Sequence, residues 1–390
     1  MLNHKIVFNK PYCDQSFMKA ACNRVENMSF ATAELDKQML STLDQNGVKT
    51  SDYSVYFTQS ATQALEIMAL ALDLKAGDEV IIPSYTYAAT ANAFARAGAK
   101  LIFADVDVHT VNITPETVAP LITDKTRLIM PIHYGGASAD VEGLLSIASQ
   151  NNCMVLEDAA HSVGAKFKGQ PLGTFGELGC FSFHHTKNIT AFGNGGLLIL
   201  NKQSTFSEAI EQIYYQGTDR AAFLRGEATE YRWMVLGGEF EMAAFNKAYL
   251  NEALKKLTEV TARRSAIWNF YHKTLSTELS AFIENKQLIF PSLIKGAEIN
   301  GHIFHMILPN KELRNRFIQR LSEKYIAAYT HYEPLHLSSA GQKYGEIRTS
   351  MQATESAGNG LVRLPLYYDL SADDQSHIME SVIGTIKALL

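Results

Sequence analysis

Basic residues are in deficit and cysteine is scarce. Lys plus Arg number 35 against 40 Asp plus Glu, so the formal net charge is -5. A nucleic-acid surface needs a basic face, and no basic run supplies one here. The 4 cysteines, Cys13, Cys22, Cys153 and Cys180, show no CxxC spacing. That argues against a disulfide framework or a zinc ribbon, and buried reduced thiols are expected. No apolar run approaches the ~20 residues needed to span a bilayer. The amino-terminal stretch MLNHKIVFNKPYCDQ lacks the basic start, apolar core and small-residue cleavage site of a secretory signal. No internal repeat and no linker rich in Pro, Gly or Ser stands out. The expectation from these absences is a soluble cytoplasmic chain with no nucleic-acid and no membrane partner.

What is present is strand-like and helical sequence in alternation. A length of 390 residues suggests two or three folding units. Seven short apolar runs read as strands: SVYFTQ (54–59), EVIIPS (79–84), KLIFADV (100–106), RLIMPIH (127–133), CMVLED (153–158), GCFSFH (179–184) and GGLLIL (195–200). They are continuous rather than alternating, as expected when both faces of a sheet are covered. Helical patterns such as ATQALEIMALALDL and VEGLLSIASQN lie between them, which implies a largely parallel α/β sheet. After about residue 205, long amphipathic helices dominate and strands become sparse. The organisation expected is a large α/β domain over 1–245 and a smaller α+β domain over 246–390.

Ligands of parallel sheets collect beyond the carboxyl ends of the strands. The polar clusters TQSATQ, PSYTY, HYGG, EDAAH and FHHTKN all stand there. Within them, Asp158 is a carboxylate just past a buried strand, costly unless paired, hydrogen-bonded or functional, but it also reads as the N-cap of a helix opening at AAHSVGA, and position alone favours the cap. Ser60 likewise reads as a cap, although a helix start is also a ready anion site. Lys187 follows GCFSFH. A lone lysine is ordinarily a solvated charge, but one at this end of a sheet, partly buried, becomes a nucleophile toward carbonyls. Amine, acid and N–H donors together match the needs of pyridoxal phosphate. Neighbouring residues on an extended strand point to opposite faces, so His184 and His185 are a poor metal pair, and no metal site is expected. GNGG at 193–196 precedes a strand, which speaks against a dinucleotide loop.

With these residues in hand, the sequence resembles the DegT/DnrJ/EryC1/StrS family of sugar aminotransferases. Within it, the likeness is strongest to the dTDP-4-amino-4,6-dideoxygalactose transaminase group. The matching segments are GDEVIIPSYTYAATANAF, ITDKTR, PIHYGG, LEDAAH, KGQPLGTFGELGCFSFHHTKN, YEPLH and RLPLYYDLS. The resemblance implies the fold-type I architecture: a large, mostly parallel seven-stranded sheet domain and a smaller carboxyl-terminal α+β domain. It also implies pyridoxal 5'-phosphate as cofactor, with pyridoxamine phosphate as the form that carries the amino group.

On this resemblance Lys187 is the cofactor-linked lysine and proton shuttle, and Asp158 holds the pyridine nitrogen protonated. Tyr87 stacks on the ring, Ala61 and Thr62 form the phosphate turn, Ser182 adds a hydroxyl to the phosphate, and His161 lies beside the cofactor. His331 and His336 fall near the sugar–nucleotide site. Glu239 occupies a position, usually Asn or Ser, that reaches the neighbouring subunit's phosphate. Asn194 stands where relatives read GEGG. Some relatives replace the lysine with histidine and dehydrate; Lys187 favours transamination. The implied reaction takes the amino group of L-glutamate to C4 of dTDP-4-dehydro-6-deoxy-D-glucose in a homodimer; segment 214–250 reads either as a crossing between subunits or, equally, as a plain surface loop. The alternatives are C3 amination of a dTDP-3-keto-6-deoxyhexose, and a non-catalytic family member with a regulatory or binding role.

Overall fold

The computed structural model describes residues 4–27 and 33–390. Its centre is an eight-stranded sheet in the order β1-β9-β8-β5-β4-β2-β3-β12. The strands are β1 (Tyr53–Thr58), β2 (Glu79–Pro83), β3 (Lys100–Ala104), β4 (Thr126–Ile129), β5 (Met154–Asp158), β8 (Leu178–Ser182), β9 (Gly196–Asn201) and β12 (Gly345–Ile347). From β8 through β5, β4, β2 and β3 to β12 every pairing is parallel. Only β9 runs against its neighbours, β1 and β8. The carboxyl ends of β1, β2, β4, β5 and β8 therefore meet on one side, together with the amino end of β9.

The seven expected apolar runs are all strands of this sheet. The eighth, β12, comes from the carboxyl-terminal third and pairs with β3. Its three residues carry no apolar run, so polar contacts hold it instead. Arg348 donates to Glu79 at 3.0 Å and Lys100 pairs with Glu346. Gly345 is required there, because a Cβ would lie 2.3 Å from the Phe103 ring.

Period-two geometry divides each strand between two cores. Val80 and Ile82 pack with Ala64, Ile67 and Met68 of the helix Ala61–Ala71 on one face. Ile81 points the other way, to Leu144 and Ala148 of the helix Val141–Gln150. A second hydrophobic core surrounds the antiparallel pair β11 (Phe304–Ile307) and β13 (Leu361–Leu364). The 22-residue helix Leu257–Glu278 joins the two regions. Its Leu257 and Val260 lie under the main sheet, whereas Trp268, Tyr271 and Leu275 lie in the second core. The amino-terminal Ile6 is also part of the second core. A small three-stranded sheet, β10 (Ala297–Glu298), β6 (Lys166–Phe167) and β7 (Gln170–Pro171), lies alongside. No described helix is long and apolar enough to cross a membrane.

One close approach shapes the ligand side of the sheet. Ser60 caps the helix Ala61–Ala71, its extended backbone at φ -163 and ψ 161, and its hydroxyl accepts the Gln63 N–H at 3.2 Å. The turn rests on Gly196, where a Cβ would stand 2.2 Å from the Ser60 carbonyl carbon and 2.4 Å from the Ala61 nitrogen. Gly196→Ala is expected to lower the unfolding free energy by at least about 1–3 kcal/mol, the usual cost of overpacking. Urea unfolding with an unchanged midpoint would refute this close contact.

Candidate active site

A cavity of about 840 Å³ opens at the converging strand ends. The main sheet supplies one wall, through Asp158, Ser182, Lys187 and the helix start at Ser60. His302, His331, Tyr332 and Arg363 supply the opposite wall, and the amino-terminal Phe8 and Asn9 close a third side. Of the residues singled out in the sequence, Ala61, Thr62, Tyr87, His161 and Asn194 also line it.

Asp158 ends β5 and is 5% exposed. No helix follows it, so the cap reading fails. Its carboxylate is instead oriented from three sides. Thr90 Oγ1 donates to Oδ2 at 2.8 Å, and the Ala160 N–H donates to Oδ1 at 3.1 Å. The Cys180 thiol donates to Oδ1 at 3.8 Å. Burial, reinforced by Asp158 itself, pushes that thiol well up, so it stays protonated and able to donate.

Lys187 sits on the loop after β8, its N–H bonded to the His184 carbonyl at 2.9 Å. Burial lowers its pKa to about 8 against the opposing pull of Asp158. Neighbouring residues pin the loop. Asn188 Nδ2 donates to the Asn300 carbonyl and its Oδ1 faces His302 Nδ1, both at 2.9 Å. Asn9 Nδ2 donates to the Thr186 carbonyl at 2.9 Å.

The same contacts assign imidazole protons. Asn188 Oδ1 accepts, so His302 Nδ1 carries the hydrogen and its Nε2 is a free base. His161 Nδ1 accepts the Gly135 N–H at 3.3 Å, which leaves the proton on Nε2, 3.3 Å from the Tyr332 hydroxyl. Burial first, then nearby cations, hold His161 well below the usual histidine range. His331 stacks on Tyr332 at 3.6 Å between ring centroids and meets the Tyr134 hydroxyl at 2.8 Å. This wall is thus polar but uncharged apart from Arg363.

Three further groups marked in the sequence lie as follows. His336 does not line the cavity. It is buried against Ser84, whose Oγ is 2.7 Å from its Nδ1, and there it ties the end of β2 to the following segment. Glu239 is exposed and outside the cavity of its own chain. Its carboxylate meets Gln216, and its carbonyl accepts from Gln59 at 3.3 Å and Gln63 at 3.4 Å. The His184 and His185 rings are 3.9 Å apart, because β8 ends at Ser182 and strand alternation does not reach them. Among the described residues no group of three or more His, Cys, Asp or Glu gathers as a metal site. Conversely, Thr90, His302, Tyr332 and Arg363 were not singled out in the sequence. Thr90, four residues after Thr86 in PSYTYAAT, offered the one local signal.

The donor set suits pyridoxal phosphate. Lys187 offers an amine, and Asp158 a fixed carboxylate for the pyridine nitrogen. The helix start at Ala61 and Thr62, opened by the missing Cβ of Gly196, suits the phosphate together with Ser182. Fold and site thus define a pyridoxal-phosphate-dependent aminotransferase. The chain belongs to the DegT/DnrJ/EryC1/StrS aminotransferase family, which matches residues 34–383.

It is 31% identical to the pleiotropic regulatory protein of Geobacillus stearothermophilus, over 83% of this chain and 82% of that one. It is 28% identical to the UDP-4-amino-4-deoxy-L-arabinose–oxoglutarate aminotransferase of Shewanella sediminis, over 98% of each. The aminotransferase TlmJ of Streptoalloteichus hindustanus has the same fold, with a TM-score of 0.85 and 24% identity over 99% of this chain and 100% of that one.

The lowered pKa of Lys187 gives a direct expectation. In cofactor-free protein, pulse acylation of Lys187 read by mass spectrometry rises with pH and levels off above about 8. Exposed lysines continue to rise toward roughly 10.4. A Lys187 profile parallel to theirs would contradict the burial argument.

Proposed function

We propose that this chain is a nucleotide-sugar aminotransferase that acts as a homodimer. It moves the amino group of L-glutamate to C4 of dTDP-4-dehydro-6-deoxy-D-glucose, giving a dTDP-4-amino-4,6-dideoxyhexose. The observation that carries this reading is Lys187: an amine with a pKa of about 8, in a cavity whose one carboxylate among the described residues is Asp158. At pH 7 about one-tenth of that amine is unprotonated, against well under one-hundredth for a solvated lysine of pKa roughly 10.4.

The cofactor, when bound, supplies the electron sink that makes a carbon-bound proton removable. The rest falls to this chain. Asp158 accepts the hydrogen bond of the pyridinium nitrogen, with Thr90 and the Ala160 N–H fixing its direction. Ala61, Thr62 and Ser182 hold the phosphate. Tyr87, 63% exposed at the mouth, covers the ring face once ligand is present. Lys187 Nζ takes the proton from the donor's α-carbon and returns one to the sugar carbon that receives the amine.

The uncharged His161, His331 and Tyr332 wall suits the hydroxyls of a sugar, which neutral imidazole and phenol groups bind without a charge penalty. Amination at C4 is supported by the Shewanella relative, whose name is that of a 4-amino-sugar enzyme. The dTDP carrier rests on the resemblance to the dTDP-4-amino-4,6-dideoxygalactose transaminase group, whereas the name of the Shewanella relative carries UDP. The homodimer is supported by the apolar surface of segment 214–250, where Leu224 is 61%, Trp233 74% and Leu236 69% exposed.

The test uses purified protein loaded with pyridoxal phosphate, given L-glutamate and either the 4-keto or the 3-keto dTDP-sugar, with products read by mass and NMR. The expected product carries nitrogen at C4. Product from the 3-keto sugar alone would move the site to C3, and turnover of a UDP-sugar alone would overturn the dTDP assignment. Lys187→Ala should abolish the visible absorbance and cut turnover by roughly 10²–10⁴-fold or more, the range of general-base catalysis. A colourless wild-type protein that takes up no cofactor would favour the regulatory or binding role, which the name of the Geobacillus relative keeps in view.

A further inference from the structure

Arg363 lines the cavity together with Lys187, and no ion pair joins it to a carboxylate among the described residues. It lies on β13, in the wall opposite the phosphate turn. The cavity's one carboxylate among the described residues, Asp158, accepts from Thr90 and, on the function proposed above, serves the pyridine nitrogen. Arg363 Nε and Nη2 both donate to the Thr330 carbonyl, at 3.1 and 2.7 Å. One edge of the guanidinium is thereby occupied, while Nη1 has no acceptor among the described residues. The Phe8 ring lies 4.7 Å from the guanidinium carbon and holds the plane in place. Phe8 is itself fixed by its carbonyl, which accepts the Leu366 N–H at 3.3 Å.

A planar cation locked on one edge and one face, with its Nη1/Nη2 end free, is pre-shaped for a planar anion with two oxygens. Removing a cation from water without a counter-ion is costly, so the site is completed by a ligand rather than by the protein. Arg348 is paired to Glu79 and Glu346 and Arg24 to Glu252, while the buried Arg264 and Arg314 donate to carbonyls and to Asn315 outside the cavity, so Arg363 is set apart by its place on the cavity wall.

We propose that Arg363 is a carboxylate-binding residue, and that its ligand is a carboxylate of the amino donor. This deepens the amino-donor part of the function proposed above and rests on it. The guanidinium anchors the donor on the wall facing Lys187, so that the bond to be broken is presented to Nζ. It also gives selection against amines that lack a carboxylate. A diphosphate is the other anion that a nucleotide sugar brings to the cavity. The carboxylate is favoured because one free guanidinium end matches two coplanar oxygens.

The probes are glutarate, an unreactive dicarboxylate, and dTDP, each titrated calorimetrically into cofactor-loaded protein. Arg363→Met is expected to raise the glutarate Kd at least about tenfold, as loss of a charge-assisted hydrogen bond does. The dTDP Kd should stay within about twofold. Arg363→Lys should recover only part of the glutarate affinity, because a point charge lacks the fork. Phe8→Leu, which leaves every Arg363 donor intact, should raise the glutarate Kd severalfold and carries the test if Arg363→Met fails to retain cofactor absorbance.

Loss of dTDP affinity with glutarate unchanged would assign the anion to the diphosphate and overturn the proposal, as would no change in either. If wild-type protein shows no spectral response to L-glutamate, the amino-donor reading fails. Weaker glutarate binding by Arg363→Met would then still establish the carboxylate site.

Discussion

Taking the amine of Lys187 out of water is the constraint on which the rest of the site depends. Burial disfavours its charged form and brings its pKa to about 8, whereas Asp158 pulls in the opposite direction. The balance works only if the lysine stays where it is. Asn188, next in the chain, is anchored to Asn300 and His302, and Thr186, just before, is anchored to Asn9. Asn300 in turn donates to the carbonyls of His161 and Val163 at 2.8 and 2.9 Å. The reactive loop is thus fixed by amide side chains at Asn9, Asn188 and Asn300 and by the buried Phe183 and Ile189 on either side of it.

The cavity has walls from two hydrophobic cores, and polar contacts set their spacing. Asp105, just beyond β3, accepts the N–H groups of Ala353 and Thr354 at 3.1 and 2.7 Å, at the start of the helix Gln352–Gly360. A carboxylate there satisfies free helix N–H groups and suits the helix dipole. Ser84 and His336 make a second tie at the end of β2, and Glu79 with Arg348 a third at its beginning. Arg348 keeps the Glu79 carboxyl below the usual range. Each tie joins a main-sheet strand to the carboxyl-terminal third, which is also the part that presents Arg363 and His331.

Much of this was legible in the sequence. The seven apolar runs became seven strands, because a strand buried on both faces leaves a local and continuous signature. Lys187, Asp158, Ser182, Ala61 and Thr62 share one cavity, because parallel strands bring their carboxyl ends together whatever their order. The failures have equally definite causes. β12 has three residues, no apolar pattern and a partner more than two hundred positions away, so nothing local marks it. Asp158 reads as a helix cap, but the chain turns after β5 and Thr90 meets its carboxylate instead. His336 stands five residues from His331, yet the short helical turn Leu335–Leu337 points it into the core.

By itself, then, the amino-acid sequence determined the layered α/β fold and the chemical inventory of the site. Both are written in short-range patterns: apolar runs, helix starts, and reactive residues placed just past strands. Only the tertiary structure decided which of those residues meet, and on which wall. Thr90 reaches Asp158 across 68 positions, Asn188 reaches Asn300 across 112, and Ser84 reaches His336 across 252. Such contacts depend on how two separate cores are seated against each other, and no local periodicity encodes that. The same seating leaves Arg363 in the cavity with one end free.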